Sequence, residues 1–176
     1  MLEIENCIVL MVDMQEKLVK ATDAEQEILQ AEKLIKTANI LNIPTLVSEQ
    51  YPKGLGSTLD CLKNDNQKYF EKTYFSILKE DNFLETLKSY NKNQVILFGI
   101  EAHICVYQTA MDLLKEGYEV YFVKDASKSR KENEFITGIE LMHQEGVKIT
   151  CLEIALFELL KTSKHPHFKE IQSLVK

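Results

Sequence analysis

Three side chains lying far apart in the chain, Cys105, Asp13 and Lys72, are those whose type and setting could do chemistry. Cys105 closes the stretch Gly99-Ile100-Glu101-Ala102-His103-Ile104-Cys105. An apolar run that reads as a buried strand, Gln94 to Phe98, precedes it, and a helical pattern from Val106 to Glu116 follows. At such a turn the first free N–H groups of the helix, and its dipole, favour negative charge. A thiol there is biased toward thiolate, the nucleophilic form. The other reading of Cys105 is a small buried hydrophobe, since free cysteine is commonly buried. Asp13 ends the continuous apolar run Cys7 to Val12. Burial there would raise its pKa and suit it to take a proton, while a helix cap or a hydrogen-bonded turn carboxylate fits the position equally. Lys72 alternates with bulky neighbours in Phe70-Glu71-Lys72-Thr73-Tyr74. A strand lysine commonly snorkels to solvent, but one pointing inward requires an anion. A cation between an aspartate and a cysteine would hold both charges in a dry site.

The elements that must bring these residues together are legible as alternating patterns. Short apolar runs predict strands at 7–12, 45–47, 94–98, 119–123 and 147–150, with a more polar one at 69–74. Helical spacing predicts helices over 23–41, 57–62, 81–90, 106–116, 131–145, 153–160 and 168–175. Alternating strands and helices, with strands apolar throughout, predict a three-layer α/β/α fold around a mostly parallel, roughly six-stranded, Rossmann-like sheet. In such sheets ligands sit beyond the C-terminal strand ends at a topological switch point. Asp13 and Cys105 open onto one crevice if strands one and four are neighbours there.

Composition bounds the rest. At 176 residues, 45% hydrophobic and 27% charged, the chain is expected to form a single domain, 1–176. Its net charge of −6 and the lack of a basic stripe argue against a nucleic-acid partner; even Lys124 to Lys131 is mixed with Asp125 and serines. Cys7, Cys61, Cys105 and Cys151 are widely and irregularly spaced, so no structural zinc set is expected. Cys7 and Cys151 open apolar runs and read as core; Cys61 reads as exposed, without a role. Residues 1–20 lack a signal peptide and no apolar segment approaches membrane-spanning length, so the chain reads as cytoplasmic, with no membrane partner.

Val9-Leu10-Met11-Val12-Asp13-Met14-Gln15, Glu71-Lys72-Thr73-Tyr74-Phe75-Ser76 and Gly99-Ile100-Glu101-Ala102-His103-Ile104-Cys105, in this order, resemble the three signature blocks of the isochorismatase-like cysteine hydrolases. The resemblance covers nearly the whole chain. It is strongest to the isochorismatase domain-containing subgroup, which has segments similar to Ser48-Glu49-Gln50-Tyr51-Pro52-Lys53-Gly54-Leu55-Gly56 and His165-Pro166-His167-Phe168-Lys169-Glu170-Ile171-Gln172. It implies that Cys105 is the nucleophile, that Asp13 accepts and returns its proton, and that Lys72 bridges them and stabilises charge. It also implies a cis peptide at Ile100–Glu101, whose N–H, with that of Cys105, would face a developing oxyanion. Nicotinamidases of this superfamily carry an Asp-x-His…His metal set after strand two. Here that region reads Ser48-Glu49-Gln50-Tyr51-Pro52, so no metal and no cofactor are expected. Isochorismatases proper cleave a vinyl ether without depending on the cysteine, so Cys105 favours the amide or ester branch.

The expected function is therefore metal-independent hydrolysis of a small amide or ester-like molecule through a thioester. A catalytically idle binding or scaffold protein and a thiol redox protein are the alternatives. Relatives commonly self-associate, so a homo-oligomer, dimer or higher, is expected. Gln15, Tyr51, Tyr74 and His103 are candidate substrate contacts. Each has a structural reading too: Gln15 starting a helix, the tyrosines and Phe75 packing in the core, His103 making a local hydrogen bond. Arg130, the only arginine, lies in Ser127-Lys128-Ser129-Arg130, similar to the family's Asp-Ala-x-x-Ser-Arg segment, and reads as structural or interfacial.

Overall fold

Cys7–Val12 is apolar at every position because its strand, β1, lies mid-sheet with both faces covered. The structure, a computed structural model, describes all residues from Met1 to Lys176. After β1 come α1 (Glu16–Thr22), α2 (Glu25–Ile40), β2 (Thr45–Gln50), α3 (Pro52–Leu55), β3 (Gln67–Lys72) and α4 (Phe83–Ser89). Then follow β4 (Gln94–Gly99), α5 (Tyr107–Lys115), β5 (Glu119–Val123), α6 (Glu132–Gln144), β6 (Lys148–Thr150), α7 (Leu152–Leu160) and α8 (Phe168–Ser173). All strand pairs are parallel, in the order β3-β2-β1-β4-β5-β6. The chain winds outward from β1 on one side and from β4 on the other. The switch point therefore falls between β1 and β4, the neighbours that the sequence requires.

Alternation along the strands divides the core in two. Val9, Met11, Val47 and Ile96 face Leu34 and Ala38 of α2 and Leu156 of α7. Ile8, Leu10, Leu46 and Leu97 face Phe83 of α4, Leu113 of α5 and Met142 of α6. The result is three layers, as expected.

The differences from expectation are local. The helix expected over 23–41 starts at Glu25, and a separate α1 precedes it, stopped by Asp23 at φ 54. Only Leu18 and Val19 of α1 touch the core, and both partly, so it has too thin an apolar stripe to be read. The expected helix 57–62 is only a 3-10 turn, Asp60–Leu62, while Pro52 starts α3 earlier in the loop. β3 lies at 67–72, not 69–74, so Lys72 is its last residue. It is an exposed edge strand, whose polar outer positions blur the period. Cys7 is buried and Cys61 exposed as expected, but Cys151 is only half-buried, at the N-cap of α7 and not in the core. No helix is long and apolar enough to cross a membrane.

One glycine fixes the switch point. Gly99, paired in register with Val12, has φ 143, and a Cβ on it would stand 2.0 Å from the Val12 carbonyl oxygen. Only glycine lets the two strand ends approach this closely.

Candidate active site

The strand ends at the switch point stand side by side. Val12 pairs with Ser48 on one side and Gly99 on the other, and Gln50 pairs with Lys72. Alternation places Ser48, Gln50 and Lys72 on one face of the sheet, the face that carries Leu46 in β2. Asp13 follows β1 in the left-handed region at φ 53, which short aspartate tolerates. Its N–H donates to Ser48 O at 3.1 Å, and its carbonyl accepts the Gln15 N–H at 2.7 Å.

This backbone brings Asp13 and Lys72 together. Lys72 Nζ stands 2.7 Å from Asp13 Oδ2, with both side chains 0% exposed. Ser48 Oγ donates to Asp13 Oδ1 at 2.7 Å. The ammonium also donates to Gln50 Oε1 at 2.5 Å and to Tyr74 O at 3.3 Å. Together with the Asp13 carboxylate these oxygens surround the ammonium. A buried ion pair offsets its dehydration only with support from further hydrogen bonds; here Ser48 serves Asp13 Oδ1 and Gln50 and Tyr74 serve the ammonium, while Asp13 Oδ2 has the Lys72 charge alone.

Cys105 is 7% exposed and lies within hydrogen-bond reach of both Asp13 and Lys72. The expected bias toward thiolate is not found. Cys105 sits in a π-helical turn, Ala102–Val106, that runs into α5, and there burial and a neighbouring carboxylate outweigh the helix dipole. Burial, then the Asp13 charge, push its thiol up to about 12, with Lys72 opposing. Burial also raises the Asp13 carboxyl above its ordinary range, against the Lys72 charge and the hydrogen bonds from Lys72 and Ser48. A protonated thiol beside a carboxylate of raised proton affinity is arranged to pass a proton at the moment of attack.

The turn before Cys105 contains the Ile100–Glu101 peptide, which is cis. Ile100 N–H donates to Val12 O at 3.0 Å and Ala102 N–H to Lys128 O at 2.9 Å, whereas the Glu101 N–H donates to no acceptor in the chain.

The four candidate substrate contacts are placed differently. Gln15 is buried with its amide fully committed: Nε2 donates to Gln50 O at 3.0 Å and Gly56 O at 2.6 Å, and Oε1 accepts the Gln50 N–H at 2.7 Å. It ties the loop after β2, so the structure corrects it from a substrate contact to a brace for Gln50. Tyr51 and Tyr74 are more than half exposed, as is Phe75, so none packs in the core. Tyr51 lines a cleft of about 190 Å³ with Lys53, Lys72, Thr73 and Glu80. His103 is held locally, with Nδ1 2.9 Å from Ser129 Oγ and Nε2 3.2 Å from Glu134 Oε2. It lines a separate groove with Tyr107 and Leu141. Glu49 accepts the Thr58 N–H and hydroxyl at 2.6 and 2.7 Å, and no group of three or more His, Cys, Asp or Glu that could hold a metal ion forms.

Sequence reasoning missed Ser48 and Gln50 as partners of the charges. Their two-residue spacing was the available signal, but ending the second strand at Val47 hid it.

The sequence matches the isochorismatase domain family over residues 7–154. The chain belongs to this family of hydrolases, and within it to the isochorismatase domain-containing proteins. It is 40% identical over 176 residues to isochorismatase domain-containing protein 2 of Danio rerio, covering 99% of this chain and 89% of that protein. It is 39% identical over 166 residues to isochorismatase domain-containing protein 1 of the same fish, covering 93% of this chain but 59% of that longer protein. A solved structure described as the MAR1 ribonuclease from Caenorhabditis elegans superposes with a TM-score of 0.94 at 40% identity, covering 99% of this chain and 91% of that one.

Proposed function

We propose that this chain is a cysteine hydrolase acting, without a metal, on a small amide or ester-like substrate, with a C–N bond other than a peptide bond as the first choice. The observation that carries the reading is the fully buried Lys72–Asp13 pair with the Cys105 thiol against it. Such a pair is costly to bury and is weak evidence for stability alone. Perturbed groups converging at a switch point are the usual mark of chemistry.

Asp13 takes the Cys105 proton as sulfur attacks the carbonyl carbon. The oxyanion is met by the backbone N–H groups of Glu101, which has no acceptor in the chain, and Cys105. Lys72 acts by its charge, keeping Asp13 ionised until the proton arrives. Asp13 then protonates the leaving nitrogen or oxygen as its bond to carbon breaks, leaving a thioester. Water attacks the thioester, gives its proton to Asp13, and the carboxylic acid departs as the thiol re-forms. The same reading keeps the expectations of one domain, cytoplasmic location and self-association.

The deciding experiment is a screen of small amides and esters against the wild type and Cys105→Ala, with mass spectrometry for an acyl group on Cys105. Turnover and an acyl adduct in the wild type alone are expected; full activity in Cys105→Ala overturns the covalent mechanism. The name of the Caenorhabditis elegans relative supports a second reading, cleavage of RNA. The net charge of −6 opposes it. Cleavage of RNA by the purified wild type, lost in Cys105→Ala, would move the substrate class to nucleic acid.

A further inference from the structure

The segment Ser127–Arg130 runs beside the turn that leads to Cys105 and bonds to it residue by residue. Ser127 Oγ accepts the Gly99 N–H at 3.1 Å and donates to Val123 O at 2.9 Å. Lys128 N–H donates to Gly99 O at 3.3 Å, and Lys128 O accepts the Ala102 N–H at 2.9 Å. Ser129 Oγ accepts the His103 N–H at 3.3 Å. Arg130 closes the series: its backbone N–H and its Nε–H donate to the two oxygens of the Glu101 carboxylate at 3.0 and 2.9 Å. The Glu101 carboxylate is nearly buried, while the Arg130 side chain is 56% exposed. Around the turn the Gly99, Ile100, Ala102 and His103 N–H groups are all engaged, and the Glu101 N–H is left free.

We infer that Ser127–Arg130 is a strap that aims the Glu101 N–H at the reacting carbonyl oxygen, and that Arg130 is a positioning residue for the reaction. This rests on the cysteine-hydrolase reading of the site. Two donors on the two oxygens of one carboxylate fix its direction as well as its distance. An exposed guanidinium adds little stability by charge alone, so its effect falls on geometry. Geometry matters here because a donor misplaced by about 1 Å can cost about a hundredfold in rate. Arg130 touches none of Asp13, Lys72 and Cys105, so it acts only through Glu101.

Two electrophiles separate aiming from reactivity, with adduct formation on Cys105 followed by site-resolved mass spectrometry. With acrylamide, sulfur bonds to the terminal carbon and the C=C electron pair moves onto the amide oxygen as an enolate. The thiol proton passes through Asp13 to the α-carbon, and nothing leaves. With iodoacetamide, sulfur displaces iodide, no oxyanion forms, and the proton leaves through Asp13. An N–H aimed at the carbonyl oxygen speeds only the first. Arg130→Ala and Glu101→Gln are expected to slow acrylamide addition about tenfold or more, with iodoacetamide within about twofold. Arg130→Lys, which keeps the charge, is expected to recover part of the loss.

An unchanged ratio of the two rates in Arg130→Ala overturns the strap. Equal losses with both reagents overturn it too, because they report only a loosened fold. Should Arg130→Ala not fold, Glu101→Gln, which keeps the side-chain size, carries the same comparison. Failure of the underlying hydrolase reading looks different: there Asp13→Asn leaves both rates at the wild-type value.

Discussion

On the β1–β2–β3 side of the switch point, side chains hold charge: Ser48 and Lys72 on Asp13, and Gln50 and the Tyr74 carbonyl on Lys72. On the β4–β5 side the held groups are mostly backbone: Gly99, Ala102 and His103 are pinned by the Ser127–Arg130 strap, and the Glu101 carboxylate serves as an anchor. The first side places ions in a dry environment and must compensate them. The second places dipoles, which need only direction. Changes on the charged side should therefore appear in stability and in pH dependence. Changes on the backbone side should appear in rate without a shift in pH dependence.

Cys105 is where the two sides meet, and its removal is expected to have the largest effect. Cys105→Ala should lower turnover by at least about 10⁴-fold, the scale of losing a nucleophile. Its stability should change by only about 1 kcal/mol, an ordinary value for one substitution. Hydrolysis of whichever amide or ester the screen finds, beside a thermal melt, checks both. Loss of the fold with the activity would make Cys105 a core residue and erase the distinction.

Lys72→Met tests the charged side by stability. Removing one partner leaves a buried, unpaired carboxylate, at a cost of about 3–5 kcal/mol. The sign of its pH dependence follows from Asp13, already raised by burial with Lys72 present. Without the ammonium, the folded-state pKa rises further above the unfolded value of about 3.9, so the folded state binds the extra proton between the two. Stability then falls as pH rises through that window, by up to about 1.4 kcal/mol per pH unit. Urea titrations of Lys72→Met at pH 7 and pH 5 should show it more stable at pH 5. Equal midpoints would mean that Asp13 is not confined in a dry site.

Much of this arrangement was legible in the sequence. The apolar run ending at Asp13, and the run and turn before Cys105, locate a sheet edge because the buried parallel strands β1 and β4 are apolar except for Gln94. Lys72 was harder, since β3 is an edge strand whose exposed side hides the period. Ser48 and Gln50 were missed as partners because the strand was ended at Val47, and strand ends are set by pairing more than by local pattern. The state of Cys105 could not be read either. Position at a turn predicts thiolate, but burial and a neighbouring carboxylate outweigh the dipole, and both come from the fold. The strap shows a similar limit: Ser127-Lys128-Ser129-Arg130 has no apolar period, and its role lies wholly in the backbone groups it meets.

Asp13→Asn separates the two sides chemically while respecting the local backbone, because asparagine also tolerates the left-handed conformation. With the proton acceptor gone, Cys105 must ionise unaided from a thiol that burial still holds above its ordinary range, though without the Asp13 charge that raised it further. Its alkylation by iodoacetamide should be slowed about a hundredfold at pH 7, within the range typical of a lost general base. The rate should then climb about tenfold per pH unit while the thiol stays mostly protonated, as the thiolate fraction does. The wild type should be flatter. Parallel profiles in the two proteins would show that Asp13 does not serve the thiol.

The smallest effect, and the finest discrimination, lies in two serines on opposite sides. Ser48→Ala removes a hydroxyl donor from Asp13 and costs about 1–3 kcal/mol, the range for leaving a buried acceptor short of a partner. That hydrogen bond favours the carboxylate form, so its loss raises the Asp13 pKa further. The acid limb of the pH–rate profile should move to higher pH, with activity on that limb about tenfold lower for a shift of about one unit and recovering as pH rises. Ser127→Ala removes the acceptor for the Gly99 N–H and touches no ion. Its loss of rate should be uniform in pH, with the limb in place. A limb that moves with Ser127 and stays with Ser48 would reverse the division, putting charge on the strap side and geometry on the side of the ion pair.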